Sequence, residues 1–261
     1  MLIIMLKEYV LDKHHTLSSM RKIIVLLPLL ILSSMPTLAQ HSDFGTMYTI
    51  GASKNINDKW DIGIEGELRF YNNSQTINRY SAAIEGQYKF TEWLKMGAEY
   101  KFIYDRREEK LNEQVYYQPS YHTPKHRVSI SLTGNVSWNR FSFSLRERWQ
   151  YTYRPEKTTE RYDFNSALWK ETVVGSKAEH TLRSRFQVEY DIQNSDIDPF
   201  ASIELYNKMA IERTRLTFGA EYKIKQKHSF ELFYRYQYDN EEVDDDDHLM
   251  HYIGLGYTYN F

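Results

Sequence analysis

The stretch His248–Phe261, HLMHYIGLGYTYNF, decides the fold. It alternates. Leu249, His251, Ile253, Leu255, Tyr257, Tyr259 and Phe261 fall on one side of an extended chain, and Met250, Tyr252, Gly254, Gly256, Thr258 and Asn260 on the other. Side chains of a strand point to opposite faces with period 2. One face is therefore apolar and ends in aromatics, while the other is mostly small or polar. Taken alone, this fits either a soluble edge strand or the closing strand of a barrel.

Working outward, the same alternation recurs. Trp60–Tyr71 sets Trp60, Ile62, Ile64, Leu68 and Phe70 against Asp61, Glu65, Glu67 and Arg69. Asn78–Phe90 sets Tyr80, Ala82, Ile84 and Tyr88 against Arg79, Glu85, Gln87 and Lys89. Leu94–Tyr104 places Glu99 among the polar positions, and His126–Trp138 places Arg127 beside a Ser/Thr row. Phe141–Tyr153 carries Arg146 and Arg148, and His180–Ile192 carries Arg183, Arg185 and Glu189. Glu212–Ile224 carries Arg213, Arg215 and Glu221, and His228–Tyr238 carries Glu231 and Arg235. Alternation over about ten residues, repeated many times, marks a transmembrane β-barrel.

The connections sort by parity. Tight ones lie at Lys54–Lys59, Thr91–Trp93, Asn139–Arg140 and Lys225–Lys227. Long polar ones lie at Asn72–Ile77, Asp105–Lys125, Arg154–Glu179 and Asp239–Asp247. Short turns at one end and long loops at the other are a barrel property; a soluble sandwich has no reason for it. The prediction is an all-β, transmembrane, antiparallel up-and-down barrel of about ten strands (10–12). Parity requires the weak segment Phe200–Asn207 as a strand and puts both chain ends on the periplasmic side. Phe44–Ser53 also alternates, and reads either as an exceptional eleventh strand or as a lead-in along the lumen or rim.

Composition agrees. The chain has 22 Tyr, 13 Phe and 5 Trp, enough for aromatic girdles at two interfaces. Mean hydropathy is −0.64, which excludes a helical membrane protein. A formal charge of −2 gives no reason to expect nucleic acid. With no cysteine, a disulfide framework, a thiol nucleophile, Cys-ligated zinc and a lipid on an N-terminal Cys are excluded. Met20-Arg21-Lys22, the apolar run Ile23–Leu32 and the small residues up to Ala39 read as a signal peptide over residues 20–39, cleaved between Ala39 and Gln40. Residues 1–19 read as a start placed too early, leaving residues 40–261 as the barrel.

The closing stretch resembles the C-terminal assembly signal of bacterial outer-membrane barrels, which ends in an aromatic preceded at two places by another and carries an upstream glycine. Gly256, Tyr259 and Phe261 match it, while Gly254 stands where a polar residue is usual. The chain as a whole resembles the outer-membrane group catalogued as domain of unknown function 2490, common in Bacteroidetes. The resemblance rests on Asp43-Phe44 to Lys59-Trp60, on Leu145-Arg146-Glu147-Arg148-Trp149-Gln150-Tyr151, on Pro199-Phe200-Ala201-Ser202, on Arg213–Tyr222 and on Tyr257–Phe261. It implies the bacterial outer membrane and a barrel, and carries over no activity and no functional residues.

The strongest candidate site is the inward charge, a possible pore lining of Arg79, Glu85, Arg127, Arg146, Arg148, Arg183, Arg185, Arg213, Arg215 and Arg235. It can line a channel, with the adjacent arginine pairs preferring anions, or fill a narrow lumen with Arg–carboxylate ladders. Glu147 breaks the pattern on the apolar face, through a place near the external interface, a register-shifting bulge or, as the sharper option, a role as a lipid-contacting functional acid. His126 with Ser129 or Ser131, His180, and His248 with His251 are the residues a hydrolase would draw on, but no Gly-x-Ser-x-Gly or His-Glu-x-x-His motif is present. The acidic run Glu241–Asp247 suits either a solvated loop or Ca²⁺. The expectation is a monomeric, porin-like narrow channel or structural barrel, with no cofactor, metal site or catalytic residue assigned. Its partners are outer-membrane lipid, lipopolysaccharide and the barrel-assembly machinery. A membrane-embedded lipid- or lipopolysaccharide-modifying enzyme and a loop-borne binding protein are the alternatives.

Overall fold

Eleven strands close into a barrel, and four short ones form a separate sheet at one end of it. The structure is a computed structural model that describes residues 42–112, 115–240 and 249–261. The signal-peptide residues Ala39 and Gln40, His248 and the acidic run 241–247 lie outside the described residues. The wall is built from β1 (Ser42–Asn55), β2 (Trp60–Tyr71), β3 (Thr76–Lys89), β4 (Leu94–Arg107), β7 (Tyr121–Trp138) and β8 (Phe141–Arg154). It continues through β11 (Lys177–Tyr190), β12 (Ile197–Asn207), β13 (Ile211–Ile224), β14 (His228–Asp239) and β15 (Leu249–Asn260). Every neighbouring pair is antiparallel except β1 with β15, which is parallel and closes the ring.

That closure settles the reading of Phe44–Ser53. The short turn after β1 forces it against β2, where Met47 faces Arg69 and Asn55 faces Asp61. Its other edge then needs partners, because an open strand edge leaves a row of backbone N–H and C=O groups unpaired. The remaining free edge belongs to β15, which runs the same way. The eleventh-strand alternative for Phe44–Ser53 therefore holds, within the expected ten to twelve, and only the placing of both chain ends on one side is corrected, since β1 begins at the end opposite to Phe261.

The connections at the end where β15 finishes are all short, two to six residues, but at the other end residues 72–75 and 208–210 are equally tight, so Asn72–Ile77 is corrected from a long loop to a four-residue turn. Asn139 (φ 59°) in the two-residue turn Asn139–Arg140, and Lys225 (φ 51°) and Gln226 (φ 57°) in the three-residue turn Lys225–Lys227, adopt the left-handed backbone that tight hairpin turns use. At the other end, Asp105–Lys125 and Arg154–Glu179 are not simple loops. β4, β7 and β8 extend into them, and β5 (Lys110–Asn112), β6 (Tyr116–Gln118), β9 (Lys157–Asp163) and β10 (Leu168–Val174) pair as a sheet in the order β10-β9-β6-β5. The sequence reading missed these because β5 and β6 have three residues each, and the seven-residue β9 and β10 carry no regular apolar–polar alternation.

Outward positions form an apolar belt. Ile64, Ile84, Leu145 and Leu232 are each more than half exposed on the outer surface of the wall. Aromatics rim it at both ends, as Trp60 stacks on Tyr88 and Phe141 on Tyr190 at one, and Tyr100, Tyr234 and Tyr236 meet His126 and His251 at the other. Inside, Met47, Phe233, Met250 and Tyr252 form the one buried apolar cluster among the described residues, with Phe200 against it. It fits because the strands leave gaps beside it. A Cβ on Gly254 would lie 2.0 Å from the Phe233 ring, and one on Gly219 would lie 2.7 Å from that of Phe200.

Candidate functional site: the charged lumen

The inward faces enclose a cavity of about 630 Å³. All ten lumen residues singled out above line it, Glu85 and the nine arginines alike. Fifteen arginines and lysines stand against eight carboxylates on its lining, with Asp105 and Glu204 buried behind them.

The charges are organised by cross-strand register. On β3, Arg79 grips Asp105 of β4 with two nitrogens, and Lys125 of β7 reaches the same carboxylate. Arg127 donates to the Thr152 hydroxyl at 3.0 Å. Arg148 bridges Glu99 at 3.0 Å and Glu85 at 3.4 Å. Glu204 is the hub of the opposite wall. It receives Arg183 at 2.5 Å, the Tyr206 hydroxyl at 2.9 Å, Arg146 at 3.6 Å and Arg215 at 3.7 Å. Arg215 also donates to Gln237 at 2.8 Å and to the Tyr206 hydroxyl. The guanidiniums of Arg183, Arg213 and Arg215 all lie 4.8–5.6 Å from the Tyr206 ring, within cation–π reach, and Arg213 pairs with Asp239. Arg235 sits 4.7 Å over Phe233 and donates to Thr217 at 3.1 Å.

Sequence reasoning did not single out Glu204, Tyr206, Asp105 or Phe233. Asp105 was assigned to a loop. The other three occupy positions where the alternation is blurred, with Phe200 and Tyr206 sharing the inner face of β12 and Phe233 interrupting the polar row of β14.

Toward the short-turn end the sign changes. Lys223 is surrounded by Asp198 at 2.9 Å, Glu221 at 3.1 Å and Glu189 at 3.7 Å, and Asp61 pairs with Lys89 at 3.5 Å. Basic character thus fills the deep and outer lumen, and acidic character the end near Phe261.

The remaining candidates separate. Glu147 points outward, exposed between Leu145 and Trp149, and accepts a hydrogen bond from Ser184 at 2.7 Å. It lies six residues from the girdle residue Phe141 and four from Tyr151, and the ladders of β8 run without a register shift. The expected bulge is therefore corrected to a regular outward position on the apolar face. Ser129 and Ser131 are buried on the inner face, whereas His126 is on the outer face with Tyr100, 2.8 Å from its hydroxyl. His180 stacks on Trp149, and His251 meets the Tyr234 hydroxyl at 2.6 Å. Among the described residues no hydrogen bond joins a serine to a histidine side chain, and no group of three or more His, Asp or Glu is placed to hold a metal ion. At the chain end, Gly256 faces inward against Thr49, Tyr259 stacks edge-on with Phe261 at 4.6 Å, and the Phe261 amide bonds the Ser53 carbonyl at 2.9 Å.

A closed wall with an apolar outer belt, aromatic rims and a polar interior defines an outer-membrane-type β-barrel. The chain belongs to the family described as protein of unknown function (DUF2490), which matches residues 44–248. Among solved structures it is similar to the β domain of the Bordetella autotransporter BrkA, at 12% identity over 77% of this chain and 83% of that one, with a TM-score of 0.51. It is also similar to the translocator domain of the autotransporter NalP from Neisseria meningitidis, at 10% identity over 71% and 70%, with a TM-score of 0.47. The first likeness shows the fold. No curated protein matches.

Proposed function

We propose that this protein spans the bacterial outer membrane, with its short turns toward the periplasm, and that its lumen is a narrow, charge-lined channel for small solutes. In this reading residues 20–39 export the chain, cleavage falls after Ala39, and Gly256, Tyr259 and Phe261 present the closing strand to the assembly machinery. The observation that carries it is the 630 Å³ cavity, lined from Arg107 and Lys177 at the long-loop end to Glu85 and Glu231 deep in the barrel. Ion pairing holds those side chains against the wall, and the passage narrows beside the Met47–Phe233–Met250–Tyr252 cluster. The test is single-channel conductance of the refolded mature chain in planar bilayers. Small, reproducible steps are expected, and the reversal potential in a salt gradient reads their selectivity. Silence from a barrel shown to be folded overturns the channel and leaves a structural barrel packed with Arg–carboxylate ladders.

A further inference from the structure

On adjacent strands β8 and β11, Arg146 stands directly across from Arg185, and Arg148 directly across from Arg183. Like charges in facing positions destabilise a sheet. Two of the four are compensated, since Arg148 has Glu99 and Glu85, and Arg183 has Glu204. Arg146 reaches only Glu204, at 3.6 Å, and that carboxylate is already held by Arg183 and Tyr206. Arg185 has no carboxylate within 4.0 Å among the described residues, although Glu204 is its cross-strand neighbour. Arg235, across the cavity, is bound only by Thr217 and the Met47 sulfur. The Nε atoms of Arg146 and Arg185 are buried without a hydrogen-bond partner. Glu231 lines the same space, beyond ion-pair distance of all three.

We propose that Arg146, Arg185 and Arg235 form a binding site for a multivalent oxyanion, a small solute bearing a phosphate-type or polycarboxylate group, loaded from the long-loop end. Guanidinium forks match both groups and bind them in bidentate fashion. The cavity has the size of a small-molecule pocket, so it holds more than a single halide. The polarity of the lumen gives the direction. Arg107 and Lys177 at the long-loop mouth draw anions in, and the Glu189, Asp198 and Glu221 group below opposes their leaving at the other end. This inference rests on the reading of the lumen as solute-accessible and adds what it holds.

The probe is pyrophosphate, titrated calorimetrically into the folded full barrel in detergent at constant ionic strength, with chloride as the control. Saturable binding at one site is expected. Arg146→Gln combined with Arg185→Gln should weaken it by at least about tenfold per arginine, whereas Arg140→Gln, on a turn, should leave it unchanged. Because the double variant also removes a like-charge contact, it should retain the heat-modifiable mobility of a folded barrel. Should it not fold, the wild-type protein provides the readout, with pyrophosphate protecting Arg185 from phenylglyoxal as measured by mass spectrometry. Absence of saturable binding, or equal binding by a folded double variant, overturns the site. Citrate binding as tightly as pyrophosphate assigns the polycarboxylate class, and much weaker citrate binding assigns the phosphate class. Binding by a barrel that conducts nothing keeps the site and removes the channel.

Discussion

At the scale of single residues, the inner wall shows how small positions make room for large ones. Gly254 departs from the usual assembly-signal pattern because the Phe233 ring occupies the space where its side chain would be. Gly254→Ala should therefore destabilise the barrel by about 1–3 kcal/mol through overpacking, and Phe233→Leu in the same chain should recover part of the loss. Urea unfolding midpoints in lipid vesicles measure both, and an unperturbed Gly254→Ala would show that the ring yields freely. Glu147 is the reverse case, a carboxylate on an apolar belt with Ser184 as its hydrogen-bond donor. A cationic side chain at the midplane costs about 2–4 kcal/mol and an acidic one less. Glu147→Leu should stabilise the barrel by about 1–2 kcal/mol and Glu147→Arg should destabilise it, by reversible folding into vesicles. A loss on Glu147→Leu would mean that the Glu147–Ser184 pair holds β8 against β11. The oxyanion arginines were legible as inward charges, because alternation assigns faces. Which of them lacked a carboxylate was not, because that depends on partners from strands far apart in sequence.

At the scale of elements, the outer sheet is held by local chemistry. The turn between β9 and β10 is organised by Asp163, which accepts the Asn165 and Ser166 amides at 2.9 and 3.1 Å and the Lys170 ammonium at 2.7 Å. The Lys170 hydrogen bond, with the backbone amides, lowers the Asp163 carboxyl from its ordinary value to about 2. A depressed carboxyl pKa contributes stability that is present above the unfolded value and lost as pH falls through the folded one. The hairpin should therefore keep its order at pH 5 and lose it as pH falls from about 4 toward 2. An NMR titration of the Asp163 carboxyl checks this, with Lys170→Ala expected to raise the midpoint toward the ordinary carboxylate range. A midpoint unmoved by that change would discard Lys170 as the cause. Buried contacts between Gln118 and Thr159, 2.8 Å apart, tie β6 to β9 across 41 residues. Sequence alternation saw two loops here because the three-residue β5 and β6 have no period to measure and the seven-residue β9 and β10 do not alternate cleanly.

At the scale of the whole molecule, β1 completes the wall. A hairpin partner of β2 with a second, open edge has to find β15, and parity then makes that contact parallel. Deleting residues 42–55 should abolish the heat-modifiable folded form, because the lumen side chains fill an eleven-stranded circumference. A deletion variant that closes β2 directly on β15 and remains folded would show β1 to be dispensable. Taken by itself, the sequence determined the barrel class, the ten antiparallel strands, the tight turns at the end where β15 finishes and the inward set of charges. Each of these follows from period-2 alternation and turn length, which are properties of contiguous residues. The tertiary structure alone decided that Phe44–Ser53 is a parallel eleventh strand, that Glu204 gathers three arginines, that β8 carries Glu147 outward without a bulge and that the lumen changes sign along its length. Each of these is a relation between strands that meet only when the ring closes, so no window along the chain contains it.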